Sequence, residues 1–190
     1  GAQYDDFNFG SAAWTLSAHE GRPGHELQFT AMVERGVSLA RTMFAFNSVN
    51  VEGWALYAES LGAELGLYED PVQYFGMLSM EMHRAIRLVV DTGIHSKGWT
   101  REQAIQYSLD HEAESEDAII AEIERYMATP GQAVSYKIGQ LKIRELRTRA
   151  ETKLGDKFSI KEFHNQVLNS GSLPLVLLEE KIDKWIASQI

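Results

Sequence analysis

Residues 18–28 read Ala18-His19-Glu20-Gly21-Arg22-Pro23-Gly24-His25-Glu26-Leu27-Gln28. Two imidazoles and two carboxylates flank a proline–glycine pair. Neutral imidazoles are metal ligands, and a neighbouring carboxylate can take a proton from a water that the metal has acidified. The common helical arrangement, His-Glu-x-x-His, sets its histidines four residues apart on one helix face. Here the second histidine follows the first by six residues. On an unbroken helix six residues turn the chain by about 600°, which leaves the two rings about 120° apart. The stretch can hold a metal only if the helix is interrupted. Pro23 is placed to interrupt it, because its ring clashes with the carbonyl of His19, four residues back. Gly24 then accepts whatever backbone the interruption needs. The expectation is helix, break, helix, with one histidine on each side.

Outward from this break the chain reads as helix almost throughout. Residues 1–10 are turn-rich. Ser11 caps a helix over 12–20, and residues 25–35 form the next, stopped by Gly36. Residues 37–48 are mixed. Asn50 can cap a helix over 51–65 that ends at Gly66. Pro71 opens a long helix to about Thr92, with Tyr74, Met77, Leu78, Met82, Ile86 and Val89/Val90 at spacings of three and four. Gly93 and Gly98 bracket a loop that carries His95. Thr100 with Gln103 resembles a capping box before a helix over 101–109. Further helices are expected over 115–127, 131–154, from Ser159 to Leu168, and from Pro174 to about Ser188. No sustained alternation of apolar and polar residues is present, so the fold class is all-α, a single helical domain over 1–190. No internal repeat or linker interrupts it.

Bulk properties narrow the function. The chain has 190 residues, a hydrophobic fraction of 44% and a net charge of −9, with a pI of about 5.1. An acidic chain does not suit nucleic acid, whose phosphates need a basic face. The chain has no cysteine, so a metal would be held by His, Asp or Glu, and disulfides play no part. No apolar run reaches the roughly 20 residues of a membrane-spanning helix. The sequence begins Gly1-Ala2 without a methionine and reads as the C-terminal piece of a longer protein.

Two further clusters bear on the break. In Val51-Glu52-Gly53-Trp54-Ala55-Leu56-Tyr57-Ala58-Glu59, the glutamates lie seven residues apart, on one helix face to within about 20°. The segment is mostly apolar, and a carboxylate on a buried helix needs a charged partner or a metal. Glu52 is therefore a natural third ligand; pairing of both glutamates with Arg84 or Arg87 is the competing reading. In Pro130-Gly131-Gln132-Ala133-Val134-Ser135-Tyr136-Lys137-Ile138-Gly139-Gln140, Gln132, Tyr136 and Gly139 share a helix stripe. Tyr136 can serve a developing oxyanion, or it can be a core tyrosine. His111-Glu112 lacks a second imidazole at the required position, and His83 and His164 have no partner that the sequence names.

His-Glu-Gly-x-Pro-Gly-His-x-Leu-Gln, Glu-Gly-Trp-Ala-Leu-Tyr-x-Glu, Asp-Thr-Gly-Ile-His-Ser-x-Gly-Trp, Glu-x-x-Arg-Tyr, Pro-Gly-Gln-Ala-x-Ser-Tyr-Lys-x-Gly and Phe-His-x-x-Val-Leu occur in this order. The set resembles the DUF885 family of bacterial proteins, which look like helical zinc metallopeptidases related to the gluzincins. The resemblance runs from about residue 11 to the C-terminus. It implies a gluzincin-like peptidase catalytic segment with a broken motif helix, holding one zinc ion through His19, His25 and Glu52. It implies Glu20 as general base, His95 and Tyr136 as further catalytic groups, and Arg125, Lys137 and Gln132 as substrate-binding groups. The substrate would be a peptide. Family members are usually much longer and many look like exported proteins or lipoproteins, so a periplasmic or lipoprotein-type location is implied. A segment without its N-terminal half is expected to be inactive alone, to hold zinc weakly, and to self-associate through the uncovered surface. The alternative from another class is a non-catalytic helical scaffold that retains the motif as a relic, with its carboxylates paired to arginines.

Overall fold

The computed structural model of the protein describes residues 6–190, with side chains from Gly10 onward. Ten α-helices follow one another and no strand occurs among the described residues. They are α1 (Asp6–Glu20), α2 (His25–Glu34), α3 (Leu39–Phe44), α4 (Ser48–Glu64), α5 (Pro71–Lys97), α6 (Arg101–His111), α7 (Glu116–Ala128), α8 (Gln132–Leu154), α9 (Ile160–Leu168) and α10 (Leu175–Gln189). The expected all-α class is observed, and so is the helix–break–helix entry to it.

Local chemistry sets most boundaries. The hydroxyl of Thr100 accepts from the Gln103 amide while the Gln103 side chain accepts from the Thr100 amide, a complete capping box. Ser115 and Ser159 cap α7 and α9. Asp70 caps α5 ahead of Pro71, whose missing N–H costs nothing at a first turn. Four boundaries differ from expectation. Of the stretch expected to be turn-rich, residues 1–5 lie outside the described residues, whereas residues 6–10 are helical. There α1 is docked on α5: the Gly10 carbonyl accepts from Gln73 Nε2 at 2.9 Å. Tertiary docking supplies what local pattern does not. The mixed segment contains α3, capped by Ser38. Asn47 rather than Asn50 caps α4, which starts three residues earlier than the sequence suggests. The loop expected around His95 is helix instead, because α5 runs through Gly93 to Lys97 and stops at Gly98 in the left-handed conformation. Gly93 stays helical with the Trp99 ring packed on it, where a Cβ would come within 2.5 Å of the indole.

Two apolar clusters form the interior. Trp54, Tyr57 and Leu61 of α4 pack with Ile143, Leu146 and Ala150 of α8 and with residues of α9 and α10. Ile86 and Val90 of α5 pack with α6, α7 and Ala133 at the start of α8. Helix α8 belongs to both. It crosses α4 at Gly53 and Gly139, where a Cβ on Gly53 would lie 2.4 Å from the Gly139 Cα and one on Gly139 would lie 2.0 Å from the Val49 carbonyl oxygen. Backbones this close admit only glycine, and the crossing brings the first turns of α8 beside Glu52.

Helix α5 buries only part of its apolar stripe, through Ile86 and Val90. Tyr74, Leu78, Met82 and Val89 are exposed, Met82 by 53%, while Arg84, Arg87 and Asp91 are buried. The buried charged residues meet α7 and the start of α8: Arg87 donates to Tyr126 and Glu122, Arg84 stands over the Tyr136 ring, and Asp91 accepts from the Gly131 amide.

Candidate metal centre

Helix α1 ends at Glu20 and α2 begins at His25. The intervening turn is fixed from outside: the indole Nε1 of Trp54 donates to the Pro23 carbonyl at 3.0 Å and reaches the Gly24 carbonyl at 3.2 Å. A Cβ on Gly24 would lie 1.9 Å from the His19 carbonyl oxygen, so the break closes onto the end of α1 only because that residue is glycine. Closing it swings α2 round until the ring of His25 stands edge-on to that of His19, with centroids 4.9 Å apart. The chain thus removes the angular mismatch of the i, i+6 spacing.

Glu52 completes the group. Its Oε2 lies 3.6 Å from His19 Nε2 and 3.4 Å from His25 Nε2. The ligand atoms of His19, His25 and Glu52 all lie within 4.8 Å of one another. For metal–ligand bonds of about 2.0–2.2 Å in a tetrahedron, neighbouring ligand atoms are separated by roughly 3.3–3.6 Å, which matches the glutamate–histidine edges.

The hydrogen bonds behind the group prepare it for a cation. His19 Nδ1 donates to Glu59 Oε1 at 2.6 Å, and His25 Nδ1 donates to Gln28 Oε1 at 3.2 Å. Both acceptors hold the Nδ1 proton, so both Nε2 lone pairs point at the space shared with Glu52. Glu52 Oε2 is buried and has no hydrogen-bond partner, and an orphaned buried carboxylate oxygen calls for a compensating charge. Without a metal the His19 imidazole supplies it. Burial opposes a charged His19, but Glu52 and Glu59 outweigh that and raise its pKa to about 9. Burial likewise raises Glu52, and the two histidines overcome this to hold it down at about 2. The residues present fit a divalent cation, which would take the place of the His19 proton.

Neither glutamate pairs with an arginine: Glu52 faces His19 and His25, and Glu59, 2% exposed, faces His19. That removes the pairing expected of a relic scaffold. Glu59 is the residue behind the group for which the sequence offered a signal but no role. Its i, i+7 relation to Glu52 is what lets one imidazole be gripped from both ends.

The other expected site residues divide into near and far. Glu20 is exposed and makes no hydrogen bond or ion pair among the described residues. Tyr136 stacks on His19 with ring centroids 6.2 Å apart. Its hydroxyl oxygen accepts from Gln132 Nε2 at 3.0 Å, and Gln132 Oε1 in turn accepts from Arg125 Nη1 at 2.8 Å. Arg125 is otherwise committed to Glu122, with Nη2 at 2.8 Å from Oε2. Lys137 is committed to Glu81 and to Gln140. His95 is not brought to the centre. It sits in the last turn of α5, with Nε2 at 2.9 Å from the Tyr126 carbonyl, eleven residues and roughly 16 Å along the helix from Arg84. The remaining histidines are accounted for elsewhere: His83 pairs with Glu112 at 2.5 Å, His111 Nδ1 lies 2.7 Å from the Tyr107 carbonyl, and His164 meets the Tyr57 hydroxyl at 2.9 Å.

Comparison with known proteins agrees with the motif order. The sequence profile described as "Bacterial protein of unknown function (DUF885)" matches residues 3–182. This chain belongs to the DUF885 family. Two solved structures are similar to it. A candidate lipoprotein from Colwellia psychrerythraea shares 45% identity at a TM-score of 0.89 over 94% of this chain. A candidate lipoprotein of unknown function from Shewanella oneidensis shares 29% identity at a TM-score of 0.81 over 88% of it. In both cases the DUF885 chain described here spans 31% of the other protein's length. No curated protein matches the chain. No helix among the described residues is long and apolar enough to cross a membrane.

Proposed function

We propose that this DUF885 chain carries the metal centre of a zinc-dependent hydrolase of peptide bonds, related to the gluzincins. The observation that carries the reading is the unpartnered Glu52 Oε2 facing two imidazole Nε2 atoms whose lone pairs Glu59 and Gln28 aim toward it. His/His/Glu is a donor set of catalytic zinc, in which three protein ligands leave a fourth position open. A zinc ion bound there supplies a Lewis acid and lowers the pKa of a coordinated water to about 7.

The chain's own groups have distinct tasks. Glu20, next to the ligand His19 and free of other partners, takes a proton at its carboxylate and returns it to the departing amine. Tyr136 stands beside His19 and accepts the Gln132 amide at its hydroxyl oxygen, which leaves the phenolic proton free to be donated to a developing oxyanion. Gln132, held by Arg125, acts as the positioning group for that hydroxyl.

Peptides are the inferred substrate class, and export as a lipoprotein or to the periplasm is the inferred setting, supported by the two candidate lipoproteins. The test is zinc content together with hydrolysis of unstructured peptides by the longer protein. One zinc per chain and loss of hydrolysis in Glu20→Gln, with zinc retained, are expected. Failure to bind zinc, or full hydrolysis by the Glu20→Gln protein, would overturn the reading.

A further inference from the structure

Beside the metal centre lies a buried arginine that no salt bridge holds. Arg84 is 8% exposed. No carboxylate lies within ion-pair distance of it among the described residues, and its Nε has no hydrogen-bond partner. A neighbouring cation makes this less comfortable still. Burial first, and then Arg87, act against the charge of Arg84, while Glu59 at longer range and then Tyr136 and Tyr126 favour it, and a guanidinium stays protonated in proteins. Arg87 donates to Tyr126 and Glu122, but its Nη1 is also buried and unpartnered. Both guanidinium carbons stand 4.9 Å from the Tyr136 ring centroid. A cation–π contact of this kind offsets only part of what burying an ion costs.

We propose that Arg84, with the free Nη1 of Arg87, is a specificity-determining anion site that binds a carboxylate of the peptide substrate next to the metal centre. This rests on the hydrolase reading above and adds which peptides the site takes. Arg84 and His19 lie on the same ring: the guanidinium carbon is 4.9 Å from the Tyr136 centroid and that centroid is 6.2 Å from the His19 centroid. Arg84 is thus at most about 11 Å from His19, a span that an extended chain covers in about three residues or fewer. An arginine with a planar fork and no partner suits a carboxylate at that distance. Arg125 and Lys137, the cations expected from sequence to meet such a group, are already neutralised by Glu122 and Glu81.

The experiment uses the full chain without metal. It compares, by titration calorimetry, an N-blocked dipeptide as free acid, the same peptide as C-terminal amide, and an amide bearing a glutamate side chain. The expected result is tighter binding of one or both acids than of the neutral amide, by about 10- to 100-fold. The free acid alone points to a chain end and exopeptidase-type recognition; the glutamyl amide points to an acidic side chain. Arg84→Met should abolish the preference while leaving the melting temperature equal or higher, since it removes a buried ion that no salt bridge holds. Arg84→Lys should retain part of it. Equal binding of acids and neutral amide, or a preference that survives Arg84→Met, overturns the inference. A fall in melting temperature of Arg84→Met with the preference intact assigns Arg84 a purely structural role. Zinc stoichiometry, measured separately, decides the hydrolase reading: zinc uptake without acid preference sinks only the anion site, and acid preference without zinc uptake sinks only the hydrolase.

Discussion

Replacing Glu59 by glutamine should weaken zinc binding at pH 9 and leave it almost unchanged at pH 7. Glu59→Gln keeps an acceptor for His19 Nδ1, now 2.6 Å from the carboxylate, and removes its charge. A hydrogen bond to an ionised group contributes about 1.5–3 kcal/mol and one between neutral groups about 0.5–1.5, so the change costs about 1.4 kcal/mol, or tenfold in affinity. The same carboxylate also stabilises the competing proton. In the metal-free protein burial resists a charged His19, and the two glutamates still raise its pKa to about 9. A tenfold loss of that support brings it to about 8. At pH 7 the proton then weakens zinc binding by about 100-fold in the wild type but only about tenfold in the variant, which cancels the tenfold intrinsic loss. At pH 9 little proton competition is left, and the variant should bind about fivefold more weakly. Competition with a chromogenic chelator in zinc buffers at both pH values measures this, with circular dichroism to verify folding. An equal loss at both pH values would refute the shared-carboxylate account. A loss as deep as that of Glu52→Ala would make Glu59 a ligand rather than its support.

Other perturbations test the fold beneath the centre. Burial, with Arg147 adding to it, holds His164 down at about 4, so this residue stabilises the protein fully above pH 6.5, and that contribution fades as the pH falls toward 4; His164→Gln should flatten about 2 kcal/mol of pH-dependent stability in urea titrations across this window. Gly53→Ala forces a methyl onto the Gly139 backbone and should lower stability by about 1–3 kcal/mol, or roughly 3–10 °C in melting temperature by calorimetry. Trp54→Phe removes the donor to the Pro23 and Gly24 carbonyls and should weaken zinc binding about tenfold while the melting temperature falls only slightly. Tyr74, Leu78 and Met82 on α5 and Leu39, Met43 and Phe44 on α3 are exposed; sedimentation velocity should therefore show concentration-dependent association, and a monomer at all concentrations would count against it.

What the sequence disclosed followed physical locality. Caps written within four residues, such as Thr100 with Gln103 and Ser159 ahead of Ile160, marked helix starts where they occur. The break at Pro23-Gly24 was legible because proline and glycine act on their own backbone. Boundaries decided by distant partners were not. Gly93 remains helical because Trp99 packs on it, and residues 6–10 are helical where Gln73 receives them. The three ligands were legible as residue types at suggestive spacings, whereas the role of Glu59 required seeing which ring it meets. The sequence offered Arg84 only as a competing partner for Glu52 and Glu59; that it makes no salt bridge with either is a missing contact, which leaves no mark in a sequence. The apolar stripe on α5 marked a helix correctly, but only its C-terminal members Ile86 and Val90 enter the core, while Tyr74, Leu78, Met82 and Val89 are exposed.

His19 is held by one rod at two points, Glu52 on its Nε2 side and Glu59 on its Nδ1 side. The seven-residue interval of α4 therefore works as a gauge. Deleting or inserting a single residue between them would rotate one grip by about 100° relative to the other while leaving the amino-acid content of both motifs intact. Among natural variants, length changes should be tolerated in the turn at 66–70 but absent between 52 and 59, and a chain that broke this rule would have to hold its imidazole by some other means.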